Sequence, residues 1–171
     1  MIETTLKDKV PPHDIEAERA VLGALLLNWG AMGDVIGKLR PERFYSLQNQ
    51  VIFEALTELF SHNIQGDTLT LVDQLRKNNK LEQAGGTAYI ASLTDTVPSS
   101  ANIEYYADIV LDRATRRDLI KISSELKAES FELGKESTAL LDTAEQRIFA
   151  LAERNETTVI HDARNIMIKE I

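Results

Sequence analysis

The sequence predicts an all-α protein: a globular helical bundle head, followed by an antiparallel helical hairpin and a truncated linker helix. Three observations carry this. Between successive turn signals, apolar residues recur three and four positions apart, the spacing that gathers them on one face of an α-helix. No segment alternates apolar and polar residues as a strand does. From Ala101 to Leu133 the chain holds neither proline nor glycine, so nothing in the backbone stops a long helix there.

Residues 1–10 lack a repeating apolar face and are expected to form a flexible N-terminal arm. Pro11-Pro12 stiffens the chain, and Asp14 suits the N-cap of a helix over residues 15–28. Ile15, Ala20, Val21, Leu22, Ala24, Leu25, Leu26 and Leu27 nearly encircle its axis, the pattern of a helix buried at the centre of a bundle. The glycine-rich stretch Asn28–Gly37 predicts a turn and a short helix ending near Leu39. Pro41 opens another turn, with Phe44 and Tyr45 as core anchors. Over residues 49–62, Val51, Ile52, Ala55, Leu56, Leu59 and Phe60 form a helical stripe that Gly66-Asp67 breaks. Thr68 or Thr70 caps the next helix, through Leu71, Val72 and Leu75 to about Lys80. Gly85-Gly86 ends that unit, and Thr87 opens a short helix carrying Tyr89, Ile90 and Leu93. Residues 11–100 thus make the head.

Residues 101–154 change character. Leu119, Ile122 and Leu126 are spaced three then four, as in the seam of a helix pair. Gly134 suits a helix C′ position and Ser137 the next N-cap. Leu141, Ala144, Ile148 and Leu151 then supply a second seam. Two seams joined by a tight turn specify an antiparallel hairpin. So thin a hairpin buries little alone, so its outer face is expected to meet another subunit or partner. Asn155-Glu156-Thr157-Thr158 reads as a polar hinge, and residues 155–171 as a linker with the start of a last helix. Its apolar side comprises Val159, Ala163, Ile166 or Met167, and Ile171.

Composition narrows the function. An apolar fraction of 43% over 171 residues fits one globular domain. No apolar run reaches the length of a membrane span, and the start has no basic region leading into an apolar one, so no signal peptide is expected. Without cysteine there are no disulfides or thiolate metal sites. The net charge of −8 opposes phosphate at long range and favours protein partners over nucleic acid.

No catalytic constellation emerges. Gly33-Asp34-Val35-Ile36-Gly37-Lys38-Leu39 has three residues between its glycines, not the four of a phosphate loop, and leucine where Ser or Thr should follow the lysine. His13, His62 and His161 fit no metal-ligand spacing. Glu16 and Glu18 stand in a first helical turn, where the helix dipole accounts for them. Ser46 and Ser99 lack a histidine at motif spacing. Arg113, Arg116, Arg117 and Lys121 share one helix face. They form a solvated face, an ion-paired protein interface, or a contact with nucleic acid; the last would make the chain an autonomous basic-helix DNA-binding module.

Several blocks carry a resemblance. Pro11-Pro12-His13-Asp14-Ile15-Glu16-Ala17-Glu18 with Val21-Leu22-Gly23 resembles the opening of the DnaB-type bacterial replicative DNA helicases. So do Phe44-Tyr45, Ile52-Phe53, Gly85-Gly86 with Tyr89, and Pro98-Ser99-Ser100-Ala101-Asn102-Ile103 leading to Tyr106-Ala107. The match covers most of residues 10–155. It implies the amino-terminal collar of a cytoplasmic, hexameric helicase, a domain that builds the ring and docks the DnaG-type primase and in some bacteria a helicase loader. It also implies that ATP, Mg and the main DNA grip belong to a motor domain beyond this fragment, which itself is not an enzyme and holds no cofactor or metal. The last helix would pack on a neighbour's motor domain. By the same resemblance the primase surface involves Glu16, Tyr89, Arg117, Ile120 and Leu126, with Leu126 equally placed to serve the hairpin core.

Overall fold

A computed structural model describes residues 9–97 and 99–169, with side chains through Asn155. The expected arm, as far as residue 8, and the side chains of the last apolar row lie outside the described residues. Among the described residues seven α-helices run in order: α1 Ile15–Leu27, α2 Met32–Ile36, α3 Leu47–Ser61, α4 Thr68–Lys77, α5 Gly86–Asp95, α6 Ile103–Ser130 and α7 Ser137–Lys169. Short 3-10 turns at Trp29–Ala31, Pro41–Arg43 and Ser100–Asn102 fill the connections. No strand occurs among the described residues.

Local chemistry fixes the helix ends. The Asp14 carboxylate accepts from the Ala17 amide at 2.9 Å, and Ser46 Oγ accepts from that of Asn49 at 3.4 Å. For α4 the cap is Asp67, not Thr68 or Thr70. Its carboxylate accepts from the Thr70 amide at 2.8 Å, while the Thr70 hydroxyl accepts from the Asp67 amide at 2.9 Å, a reciprocal box. Helix α3 ends before Gly66-Asp67. Asn63 turns left-handed at φ 57°, and the Ile64 amide reaches back to Leu59 O at 2.9 Å. Asn79, φ 56°, closes α4 in the same way; asparagine is the usual substitute for glycine at this place.

Helix α1 is the axis of the head. Val21, Leu22, Ala24 and Leu25 are fully buried, against α6 on one side and α3 and α5 on others. Phe44, Ile52, Phe53, Leu56, Leu71, Leu75, Ile90 and Leu93 complete the core. Helices α1 and α5 approach closely because Gly23 lacks a side chain. A Cβ there would stand 2.1 Å from Leu93 O and 2.5 Å from a Val97 methyl. Gly23→Ala is therefore expected to cost about 1–3 kcal/mol, toward the upper end because the nearest obstacle is backbone. A thermal melt by circular dichroism checks this; an unchanged midpoint would mean that the two helices separate freely.

Helix α6 belongs to both parts of the molecule. Ile103, Ala107 and Val110 join the head core, and the rest of the helix projects as the first hairpin arm. It ends at Ser130 with Phe131 as C-cap. Gly134 is not left-handed, and Ser137 is the first residue of α7 rather than its cap. The hinge read at Asn155–Thr158 is absent, since α7 continues unbroken to Lys169. Polar residues alone do not stop a helix, and this stretch has neither proline nor glycine.

Candidate functional site

The residues of the opening motif converge where the head meets the hairpin. Ala17, Glu18, Val21, Leu22 and Leu25 all lie inside, so helix α1, exposed only at Glu16 and Leu27, carries a carboxylate into the core. Glu18 is 1% exposed. One oxygen accepts from the Tyr45 amide at 2.8 Å, the other from the Ser46 amide at 3.2 Å and from Asn49 Nδ2 at 3.0 Å. Glu18 thus secures the entry to α3. Asn49, also fully buried, passes the order onward: its Oδ1 accepts from the Tyr89 hydroxyl at 2.6 Å. Burial pushes the Tyr89 phenol above its ordinary pKa, opposed by nearby Arg19. The Arg19 guanidinium lies over the Tyr89 ring at 5.6 Å.

Arg117 closes the other side. Its two Nη groups donate to the carbonyls of Pro12 and Arg43, both at 2.7 Å, joining α6 to two segments of the head. Its guanidinium also lies over the Tyr45 ring, against which His13 stacks at 4.3 Å. Burial holds the Arg117 pKa below its usual value, and Glu18 and Asp118 act the opposite way. Arg43 pairs with Asp118 at 2.7 Å and Lys38 with Asp108 at 3.0 Å, adding two further ties between head and α6. Tyr45 is correspondingly no core anchor. It is 37% exposed, a rim residue held between a histidine and an arginine.

The expected docking residues fall into two kinds. Glu16 and Ile120 are exposed, Ile120 by 51%. Tyr89 and Arg117 are half-buried and spend their polar groups on the junction. Leu126 is partly buried on the hairpin. The basic face is largely neutralised, because Asp112 takes both Arg113 and Arg116 and Arg117 turns into the head. The hydrogen bond from Arg116, with that from Arg113, holds the Asp112 carboxyl below its usual range. Lys121 stays exposed. Among the described residues no three His, Asp or Glu side chains are grouped to hold a metal ion. None of the described helices is by itself long and apolar enough to cross a membrane.

The hairpin seam departs from its expected register. Ile122 and Leu151 are buried, and Ala144 partly so, but Leu119, Leu141 and Ile148 are 41%, 65% and 45% exposed. On α7 the inward row is Leu140, Ala144, Arg147 and Leu151. Arg147 occupies a seam position because acids across the gap match it: Nη2 donates to Glu129 at 2.8 Å, with Glu125 at 3.8 Å from Nη1. That bond keeps the Glu129 carboxyl below the normal carboxylate range. A hydrophobic pattern cannot register a charged seam residue, so it takes Leu141 and Ile148, each one residue too far along, in place of Leu140 and Arg147, while Ala144 and Leu151 belong to both rows. Leu141, Ile148 and Phe149 are left outside, Phe149 being 64% exposed. Ala144, Ile148, Phe149 and Ala152 line an open, mainly apolar groove there.

Glu18, Asn49, Arg19 and Tyr45 went unremarked as site residues in the sequence. One signal was available: an acid inside an otherwise encircling apolar set must be buried, and a buried acid needs donors.

Comparison with known proteins gives one consistent result. Residues 10–112 match the family described as the DnaB-like helicase N terminal domain. Over 162 residues the chain is 43% identical to the replicative DNA helicase DnaB of Treponema pallidum, covering 95% of the chain and 37% of that protein. It is 33% identical to the DnaB of Geobacillus stearothermophilus over 162 residues, covering 95% of the chain and 36% of that protein. The chain therefore spans little more than a third of these relatives. The N-terminal domain of the Mycobacterium tuberculosis DnaB helicase superposes with a TM-score of 0.76 at 32% identity, covering 83% of this chain and 99% of that one. A DnaB-like replicative helicase solved for its interactions with primase shares the fold, with a TM-score of 0.68 at 20% identity over 82% of this chain and 31% of that one.

Proposed function

The chain belongs to the DnaB-like helicase N-terminal domain family, and we propose on that premise that it is the collar of a replicative DNA helicase, building the ring and docking primase. The observation that carries this is the uncovered apolar row Leu141, Ile148 and Phe149 on the outer face of the hairpin. Exposed apolar side chains grouped on a helix face call for a partner. In our reading residues 11–100 form the docking head and residues 101–154 the assembling hairpin, which pairs with a second copy. Three such pairs make a six-membered collar. ATP hydrolysis with Mg, DNA unwinding and the main DNA contacts belong to a motor domain outside this chain, in the bacterial cytoplasm. A helicase loader is a further partner of the same collar.

For primase, the two kinds of residue take different roles. Glu16 and Ile120 touch the partner, with Leu126 at the margin. Tyr89 and Arg117 hold the surface in place from behind. Ile120→Ala is expected to weaken binding of the cognate primase by about 1–3 kcal/mol, the range of an interface anchor, with no change in melting temperature. Titration calorimetry with the purified primase checks this. Unaltered affinity would put the docking surface elsewhere.

A further inference from the structure

Arg19 is unlike the other arginines of the junction and hairpin. Arg43, Arg116, Arg117 and Arg147 each have an oxygen within 2.9 Å. Arg19 makes one long hydrogen bond, 3.4 Å from Nη2 to Ser92 Oγ, and its Nε, like Nη1 of Arg147, is buried with no hydrogen-bond partner; Arg147 differs in having the Glu129 carboxylate at 2.8 Å. No described residue forms an ion pair with it. A guanidinium has five N–H donors, and leaving a buried one unmatched costs about 1–3 kcal/mol. The group is nevertheless held in place. It lies on the Tyr89 ring, whose hydroxyl is fixed on Asn49, which is in turn held by Glu18. Ser92 Oγ itself is tied back to the Tyr89 carbonyl at 2.6 Å. The result is a planar cation, partly exposed between α1 and α5, whose terminal Nη groups rather than the buried Nε have donors to offer, with little rotamer freedom left to lose.

We propose that Arg19 is a preformed receptor for a carboxylate on the docking partner. The inference rests on the docking reading above and adds the chemistry of recognition. Two parallel N–H···O bonds to one carboxylate satisfy a planar fork far better than a single serine hydroxyl does. Exposed Glu16 stands three residues earlier, one helical turn away. The surface thus offers an acid and a base one turn apart. It fits a partner helix bearing the opposite pair, a Lys or Arg and an Asp or Glu at i, i+3 or i, i+4 spacing. With a net charge of −8 the chain repels acidic surfaces at long range, so this contact acts at close quarters and selects among partners rather than speeding encounter.

The test is titration calorimetry of the whole chain with its cognate primase, at two salt concentrations. The proteins are the unaltered chain, Arg19→Ala, Arg19→Lys, and Ile120→Ala as a marker of docking. Arg19→Ala is expected to weaken binding about tenfold or more and to flatten its dependence on salt. Arg19→Lys should recover only part, since an ammonium lacks the fork. Affinity for Arg19→Ala equal to that of the unaltered chain, with Ile120→Ala weakened, overturns this inference and leaves the docking reading standing. A lower affinity with unchanged salt dependence also overturns it, because Arg19 would then act only through packing. Failure of the unaltered chain to bind primase sinks both.

Discussion

Glu18→Ala is expected to lower the stability of the head by about 3–5 kcal/mol, the largest loss from any single polar side chain here. Three donors point at that carboxylate: the amides of Tyr45 and Ser46 and the Asn49 side chain. Alanine leaves all three without an acceptor, at a site too enclosed to be rehydrated without rearrangement. Each orphaned buried donor costs about 1–3 kcal/mol, and the removed side chain leaves a void besides. The midpoint of thermal unfolding should fall by roughly 10 °C, taking about 2–4 °C per kcal/mol for a domain of this size. Glu18→Gln keeps a carbonyl oxygen for one set of donors but turns an NH2 against the other, so it should lose less than Glu18→Ala without restoring the parent's stability. Glu16→Ala, two residues away and exposed, should stay within about 0.5 kcal/mol of the parent. Should Glu18→Ala unfold within about 1 kcal/mol of the parent in urea, Glu18 does not secure the entry to α3.

The second large effect concerns self-association. Ile148→Asp combined with Phe149→Asp is expected to weaken association of two copies at least about 100-fold. Each apolar side chain removed from an interface forfeits about 1.5–3 kcal/mol, and each new carboxylate adds a desolvation cost. Both positions face outward, so the hairpin seam and the head core are untouched. Light scattering over a range of concentrations should show dimers or larger for the unaltered chain and monomers for the variant. Circular dichroism should show equal helix content. A dimer that survives both substitutions would move the contact off this face; an unaltered chain that stays monomeric at high concentration would remove the collar reading altogether.

What the sequence revealed and what it hid follow from the reach of each signal. The helices of the head were legible because a 3.6-residue period and strong stop signals act locally. Asp14 and the left-handed Gly85, φ 93°, sit where local chemistry puts them, whereas the Ser46 cap, which starts α3 at Leu47 rather than at residue 49, was not read. The α4 cap was misplaced because Asp67 was taken as part of the break, although its pairing with Thr70 spans only three residues. The hairpin was legible as a hairpin, but not its register, since Arg147 in the seam depends on Glu125 and Glu129 about twenty residues earlier. Tyr45 was misjudged as a core anchor, and the junction bonds of Arg117 went unseen, for a related reason. Their partners, His13, Pro12 and Arg43, are brought to them only by the tertiary fold. The continuity of α7 through Asn155–Thr158 shows the opposite error, in which polarity was taken for a break that only glycine, proline or a cap would enforce.

Helix α6 has a mechanical meaning. Its 28 residues extend about 42 Å, beginning inside the head core and ending at the hairpin turn. No proline or glycine interrupts it, so swinging the arm relative to the head requires breaking backbone hydrogen bonds, as well as the ties of Arg117 to the Pro12 and Arg43 carbonyls. Arm and head thus behave as a bracket with a set angle rather than as two bodies on a joint. Whatever seizes the hairpin also aims the head, and a load applied at either end arrives at the other as torque.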